Sequence, residues 1–289
     1  MVSRTLPIVR ELESGQQTEP LLRLEDVDYT YPDGTPALRG IDLQVCEGEK
    51  LVILGANGCG KSTLLRILDA LAFPSRGHFE AFGRAVSERN MRSPDDAAWF
   101  RRGIGLVFQN ADAQLFSSTV REELAFAPLQ LGLPREEVEQ RISDAARLVE
   151  VTHVMERVPY QLSAGEKRKV AVASVLTANP QVLLLDEPTA GLDPRSRGNV
   201  AELLVRLHAA GKTLVTATHD LDLVPDLADR VIVMNEQHGI EAVGAPREIM
   251  RNGGLLASVN LIHEHMHRHG DLWHSHAHHH GGDHDHSHD

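Results

Sequence analysis

The chain is short of several things, and each shortage removes a class of protein. It has two cysteines, Cys46 and Cys59, in 289 residues. Two thiols without CxxC spacing exclude a disulfide framework and predict a reducing compartment, with cytoplasm as the default. Basic residues are outnumbered, 29 against 41 acidic, for a net charge of −12 with histidine neutral. That balance argues against a nucleic-acid partner, which asks for a basic domain or stripe. No apolar run of about 18 residues occurs, so no bilayer-spanning helix is expected. Residues 1–20 lack an apolar stretch and carry Glu11, Glu13 and Glu19. They do not read as a secretory signal, and a poorly ordered extension is expected there.

What remains is the mix of an ordinary globular protein, 42% hydrophobic and 24% charged. Leu21 to Tyr31 alternates apolar and polar residues like a half-exposed strand, and Pro32-Asp33-Gly34 reads as a turn. A second strand is expected over 40–45. Lys50 to Leu54 is a short apolar run of the kind buried on both faces of a sheet. A helix is expected over 61–72. Helical spacing then dominates from about 90 to 160, with helices expected over 117–131 and 135–150. Strand and helix alternate again from Val182: strands over 182–185, 212–217 and 230–234, helices over 194–209 and 221–228. The pattern is α/β with a mostly helical insertion.

Gly55-Ala56-Asn57-Gly58-Cys59-Gly60-Lys61-Ser62 matches GxxxxGK[ST] between a buried strand and a helix. Glycines let the backbone approach phosphates, and successive N–H groups with the helix dipole form an anion nest. Lys61 should reach the β- and γ-phosphates, and Ser62 should offer its hydroxyl to Mg²⁺. A nucleoside triphosphate, read as ATP, is therefore expected. Cys59 sits at a variable position of the loop, as a tolerated small residue or as a thiol whose modification would block the site. Val182-Leu183-Leu184-Leu185-Asp186-Glu187 is an apolar strand ending in two acids. At the carboxyl end of a parallel strand, Asp186 can hold Mg²⁺ and Glu187 can act as general base on water.

On these and further motifs the chain resembles the ATP-binding subunits of ABC transporters over about residues 21–250. Leu162-Ser163-Ala164-Gly165-Glu166 looks like the signature sequence, with Ala164 and Glu166 departing from LSGGQ. Ala190-Gly191-Leu192-Asp193 looks like the D-loop, Gln109 sits like the Q-loop glutamine and His219 like the switch histidine. The resemblance implies a P-loop NTPase ABC ATPase domain: a mixed sheet core, an antiparallel β subdomain and an α-helical subdomain over about 90–165. A short linker and a disordered His-rich tail are expected to follow over 251–289. The resemblance further implies catalytic roles for Glu187 and His219. Tyr31 would stack on adenine, with Tyr29 as competitor. Gly55 to Ser62, Thr63 and Gln109 would contact nucleotide, and Ser62, Gln109 and Asp186 would hold Mg²⁺. Ser163, Gly165 and Glu166 would face the ATP of an opposing subunit, in a head-to-tail homo- or heterodimer that Asp193 crosses. Glu166 would place a negative charge near that phosphate.

Val107 to Phe116 resembles the extended Q-loop of energy-coupling-factor importers, as does Tyr31 to Leu38. That branch implies a transmembrane coupling subunit, a substrate-binding membrane subunit, and a position on the cytoplasmic face of the membrane. Its cargoes are vitamins or nickel and cobalt. Twelve of the 17 histidines fall within 263–288. His274, His276, His278, His279, His280, His284, His286 and His288 form HxH steps, and imidazole suits Ni²⁺, Co²⁺ and Zn²⁺. Ligation needs neutral histidine and should weaken below pH about 6.5. A metal-storing or sensing tail, an inert solvated tail and an added tag all fit such a run, though its mixed composition speaks against a tag. The leading expectation is an ATPase for nickel or cobalt uptake. A vitamin importer, an ABC ATPase acting on nucleic acid, and a metal-binding protein with a vestigial cassette are the alternatives.

Overall fold

A computed structural model describes residues 19–269 and 272–279, with side chains described through Ile262. The chain opens with β1 (Leu22–Thr30), β2 (Pro36–Val45) and β3 (Lys50–Leu54), then α1 (Lys61–Leu68). β4 (Arg76–Ala81), β5 (Arg84–Ala85), α2 (Glu88–Met91), α3 (Pro94–Gly103) and β6 (Ile104–Val107) follow. A helical stretch comes next: α4 (Ala111–Gln114), α5 (Val120–Gln130), α6 (Arg135–Leu148) and α7 (Ala164–Leu176). The second alternating part holds β7 (Val182–Asp186), α8 (Pro194–Ala209), β8 (Thr213–Thr218), α9 (Val224–Leu227), β9 (Arg230–Met234) and β10 (Ile240–Gly244). It ends in α10 (Pro246–Arg251), α11 (Gly253–Ser258), β11 (Ile262–His269) and β12 (Leu272–His279).

The main sheet has the order β10-β9-β3-β8-β7-β6, parallel except for antiparallel β10 at one edge. A second, antiparallel sheet has the order β2-β1-β4-β5. The central strands alternate between two cores. Leu51 and Ile53, with Val182 and Leu184, pack with α1 and the antiparallel sheet. Val52 and Leu54, with Leu183 and Leu185, pack with α5 to α8. Both faces are covered, which is why these strands are continuous apolar runs. The mixed sheet and the antiparallel sheet are those of the expected α/β fold.

Several expectations are corrected. Within the mostly helical stretch expected over about 90–165, β6 is an edge strand of the main sheet, and Phe100 of α3 lies in the core beneath the antiparallel sheet. The second strand begins at Pro36, and the helix expected to 72 stops at Leu68 because Ala70 turns left-handed (φ 53°). The packed domain does not end at 250. Leu256, Val259, Leu261 and Ile262 join the core against α8 to α10. Nor is 251–289 without regular structure, since β11 and β12 pair antiparallel. Residues 1–18 lie outside the described residues, as do His280, His284, His286 and His288.

Asp69 closes the C-terminus of α1, where the dipole disfavours an anion. Burial pushes its carboxyl up to about 7, with Arg101 opposing. The folded value lies above the ordinary 3.8. The stabilising contribution is thus full below pH about 4 and is lost as pH rises through about 7. Asp69→Asn should raise stability by about 1–2 kcal/mol at pH 8, a heavily discounted share of what the full shift implies. It should leave stability unchanged near pH 4. Thermal melts at both pH values check this, and an equal effect at both would remove the account.

Candidate functional site

Sheet order puts β8 between β3 and β7, all three parallel. Their carboxyl ends therefore open on one side. β3 runs into the loop Gly55–Ser62, β7 ends on Asp186 with Glu187 after it, and β8 ends on Thr218 with His219 after it. Open α/β sheets hold ligands in this crevice.

The loop is built for close approach. Gly60 has φ 114°, and a Cβ there would collide with the Ala37 carbonyl oxygen. α1 begins without a side-chain cap and has no acid in its first turn. Thr119, Ser163 and Asp193 cap α5, α7 and α8. The first-turn N–H groups of α1 are thus left to an anion, which the dipole also favours. Tyr31 joins this end of the molecule, its hydroxyl 2.8 Å from Thr63 Oγ1. Tyr29 meets Tyr31 edge to face and packs against the core. Cys59 is 2% exposed, and burial pushes its thiol up, so it is an inert packing residue rather than a reactive one.

Six polar side chains converge here, Lys61 and Ser62 from the loop and Asp186, Glu187, Thr218 and His219 from the ends of β7 and β8. Lys61 is 5% exposed; its Nζ donates to the Gly55 and Ala56 carbonyls (2.7 and 3.2 Å) and lies 3.5 Å from Glu187 Oε1. Ser62 Oγ donates to Asp186 Oδ1 at 3.0 Å. Burial raises the Asp186 carboxyl, the Ser62 bond opposes this, and the Glu187 charge adds to it. Glu187 is 4% exposed and sits at φ 45°, a left-handed conformation that costs a non-glycine residue about 1–3 kcal/mol. Its amide donates to the Ala217 carbonyl, Oε1 accepts from His219 Nδ1 (2.9 Å) and Oε2 from Thr218 Oγ1 (3.2 Å). An ionised carboxylate only accepts, so His219 carries hydrogen on Nδ1 and presents Nε2. Thr218 has no part in the sequence reading; its signal is only a hydroxyl between an apolar strand and a histidine.

The segment after β6 is tied to α7. The buried Arg168 donates to the carbonyls of Phe108 and Gln109 at 2.8 and 2.6 Å. Gln114 accepts from the Phe108 amide and donates to the Ala171 carbonyl. Lys167 pairs with Asp112 at 2.6 Å. The buried Glu123 accepts from the amides of Phe116 and Ser117, which fixes the loop that exposes Phe116. Gln109 itself is exposed, and among the described residues its side chain makes no hydrogen bond to Ser62 or Asp186. The sequence singles out Gln109; the residues that hold its loop, Arg168 and Gln114, carry no such signal.

At the start of α7 the Ser163 amide and hydroxyl both donate to Glu166 Oε2 at 2.8 Å, and His153 Nε2 lies 3.3 Å from Oε1. The Ser163 hydrogen bonds hold the Glu166 carboxyl below its usual range. Glu166 is thus turned back into a capping box, satisfying its own helix end. Gly165 lies against α8; a Cβ there would be 2.8 Å from Ser196 Oγ. Asp193 accepts from the Arg195 and Ser196 amides. No described hydrogen bond joins 163–166 to the phosphate loop.

The ABC transporter family profile matches residues 38–190. The chain belongs to the ABC transporter ATP-binding family. The nickel import ATP-binding protein NikO of Rhodobacter capsulatus is 44% identical over 246 residues, 84% of this chain and 96% of the relative. The energy-coupling factor transporter ATP-binding protein EcfA of Methanothermobacter thermautotrophicus is 42% identical over 241 residues, 83% of this chain and 76% of the relative. The structure of cbiO1 from Clostridium perfringens, part of the complex cbiONQ, superposes with TM-score 0.72 at 37% identity, covering 84% of this chain and 95% of that one.

As an ABC ATPase the chain is the ATP-hydrolysing subunit of a transporter, acting with Mg²⁺. Its residues fit both. The uncapped, acid-free start of α1 suits phosphates, and the absence of a Cβ at Gly60 lets the loop pack against the Ala37 carbonyl. The Ser62 hydroxyl and Asp186 carboxylate are oxygen donors of the kind a small hard cation takes. When bound, Mg²⁺ supplies charge neutralisation at the phosphates. Among the described residues no helix is long and apolar enough to cross a membrane.

Proposed function

We propose that this ABC ATPase drives an energy-coupling-factor importer whose cargo is nickel or cobalt ion. The observation that carries the reading is the segment Val107 to Phe116, held to α7 by Arg168 and Gln114 and ending in an exposed aromatic. Phe116 and Phe126 meet edge to face, 66% and 44% exposed, beside that segment. They give a membrane coupling subunit an apolar contact on the cytoplasmic face. The likeness to NikO, a nickel import protein, supports the metal cargo, and the His-rich segment supports it through ligand chemistry.

In this reading Lys61 and the loop amides from Asn57 to Thr63 bind the phosphates, and Tyr31 stacks on adenine. Glu187 takes a proton from the attacking water. His219, oriented by its Nδ1–H bond to Glu187, presents Nε2 toward the γ-phosphate. Ser62 and Asp186 hold Mg²⁺, and Gln109 reports its presence to the membrane subunits. Ser163 and Gly165 complete the site of a second ATPase subunit; among the described residues no hydrogen bond ties them to the phosphate loop of their own chain. Glu166 acts there through Ser163, whose hydroxyl it holds.

Co-expressed with its membrane subunits in vesicles, the protein should support ATP-dependent uptake of radiolabelled nickel or cobalt. Uptake of a vitamin with no metal transport would overturn the cargo and leave the importer type standing.

A further inference from the structure

Among residues described with side chains, no group of three or more His, Cys, Asp or Glu could hold a metal ion. The backbone beyond them carries a different arrangement. β11 and β12 pair antiparallel, with His263 opposite His278, His265 opposite His276 and His267 opposite His274. The alternate rungs pair Ile262 with His279, Glu264 with Ala277, Met266 with Ser275 and Arg268 with Trp273. Directly opposite residues share a face of a sheet, and neighbours along a strand alternate. His263, His265, His267, His269, His274, His276 and His278 therefore belong to one face. His279 falls on the other, the face that begins at the buried Ile262.

We propose that this histidine face of the β11–β12 hairpin is a binding site for divalent transition-metal ions. The register does what a loose tail cannot. Opposite positions hold Cβ atoms about 4.5–5.5 Å apart, and successive rungs of one face are roughly 7 Å apart. Two neighbouring rungs thus set four histidine positions side by side on one face. Histidine is the ligand-bearing residue type of this face, since the acid Glu264 falls on the opposite one. That selects nickel, cobalt or zinc over magnesium or calcium, which take oxygen. An isolated hairpin is marginal in water, so ion binding and strand pairing should stabilise each other. The proposal rests on the reading of the His-rich segment as metal-binding, but not on the identity of the cargo.

The test is calorimetric titration of the full-length protein with Ni²⁺, with ATP binding as the control for folding. His276→Gln and His278→Gln should each weaken Ni²⁺ binding about tenfold or more, at least the loss usual for disturbing a metal ligand's surroundings. The neighbouring His279→Gln and the triple variant His284→Gln, His286→Gln, His288→Gln should change it less than about twofold. Equal losses for His278→Gln and His279→Gln would overturn the register. Loss only in the triple variant would overturn the hairpin site and leave a chelating tail. No binding by the unaltered protein would remove both.

Discussion

Glu187→Gln should leave ATP binding intact and reduce hydrolysis by about 10²- to 10⁴-fold, the range for removing a general base. The substitution is nearly isosteric. The amide side chain it introduces would still offer an oxygen to Thr218 Oγ1 or to His219 Nδ1, from which Glu187 now accepts at 3.2 and 2.9 Å. Lys61 would keep its two carbonyl acceptors, Gly55 and Ala56. The backbone strain at φ 45° is unchanged, because it belongs to the turn after β7 and not to the charge. What disappears is the acceptor for a proton from water. Two ATP-loaded subunits would then close and fail to reopen, so size-exclusion chromatography with ATP should show a stable dimer. Hydrolysis at the normal rate would sink the assignment of Glu187 as base. His219→Ala should mimic part of the loss, since His219 and Glu187 share one hydrogen bond.

The parts of this site legible in the sequence are those whose function needs a local pattern. A phosphate cradle needs glycines, a lysine and a hydroxyl within eight residues, and Gly55 to Ser62 supplies them contiguously. A strand buried on both faces must be apolar along its length, so Lys50–Leu54 and Val182–Asp186 stand out, and the acids after the second mark the ligand end. Elements that bury little are harder to read. Only Phe79 and Ala81 of β4 are buried, and β6 has four residues, too few to show a period. The end of the domain is hidden because Gly253-Gly254 and the histidines mask the apolar spacing of Leu255, Leu256, Val259 and Ile262. Non-local hydrogen bonds leave no pattern at all. Arg168 and Gln114 bind Phe108 from a helix about sixty residues away in one direction and from within the loop in the other. Nothing in the letters distinguishes them from surface polar residues. Glu166 illustrates the converse. Its type suggests a charge aimed at phosphate, whereas the geometry spends that charge on the N-terminus of its own helix.

Lys61→Ala should abolish measurable ATP binding, with affinity falling about a hundredfold or more. That loss corresponds to roughly 2.7 kcal/mol, within what a charge-assisted contact to phosphate carries. The variant also leaves Glu187 buried without its cation, 3.5 Å from where Nζ stood. Breaking a buried pair from one side can cost about 3–5 kcal/mol, so the single variant alone could lose binding by unfolding. The double variant Lys61→Ala, Glu187→Gln separates the two causes. It removes both members of the pair, so its melting temperature should recover toward that of the unaltered protein. ATP binding should stay lost, because the amide nest of α1 provides only a partial charge, about half a unit, against the several negative charges of a triphosphate. Isothermal titration with ATP and Mg²⁺ on both variants, read beside their melting curves, decides the matter. Tight binding by a folded double variant would show that the loop holds phosphate without its lysine, and the role given to Lys61 would fall to the backbone alone.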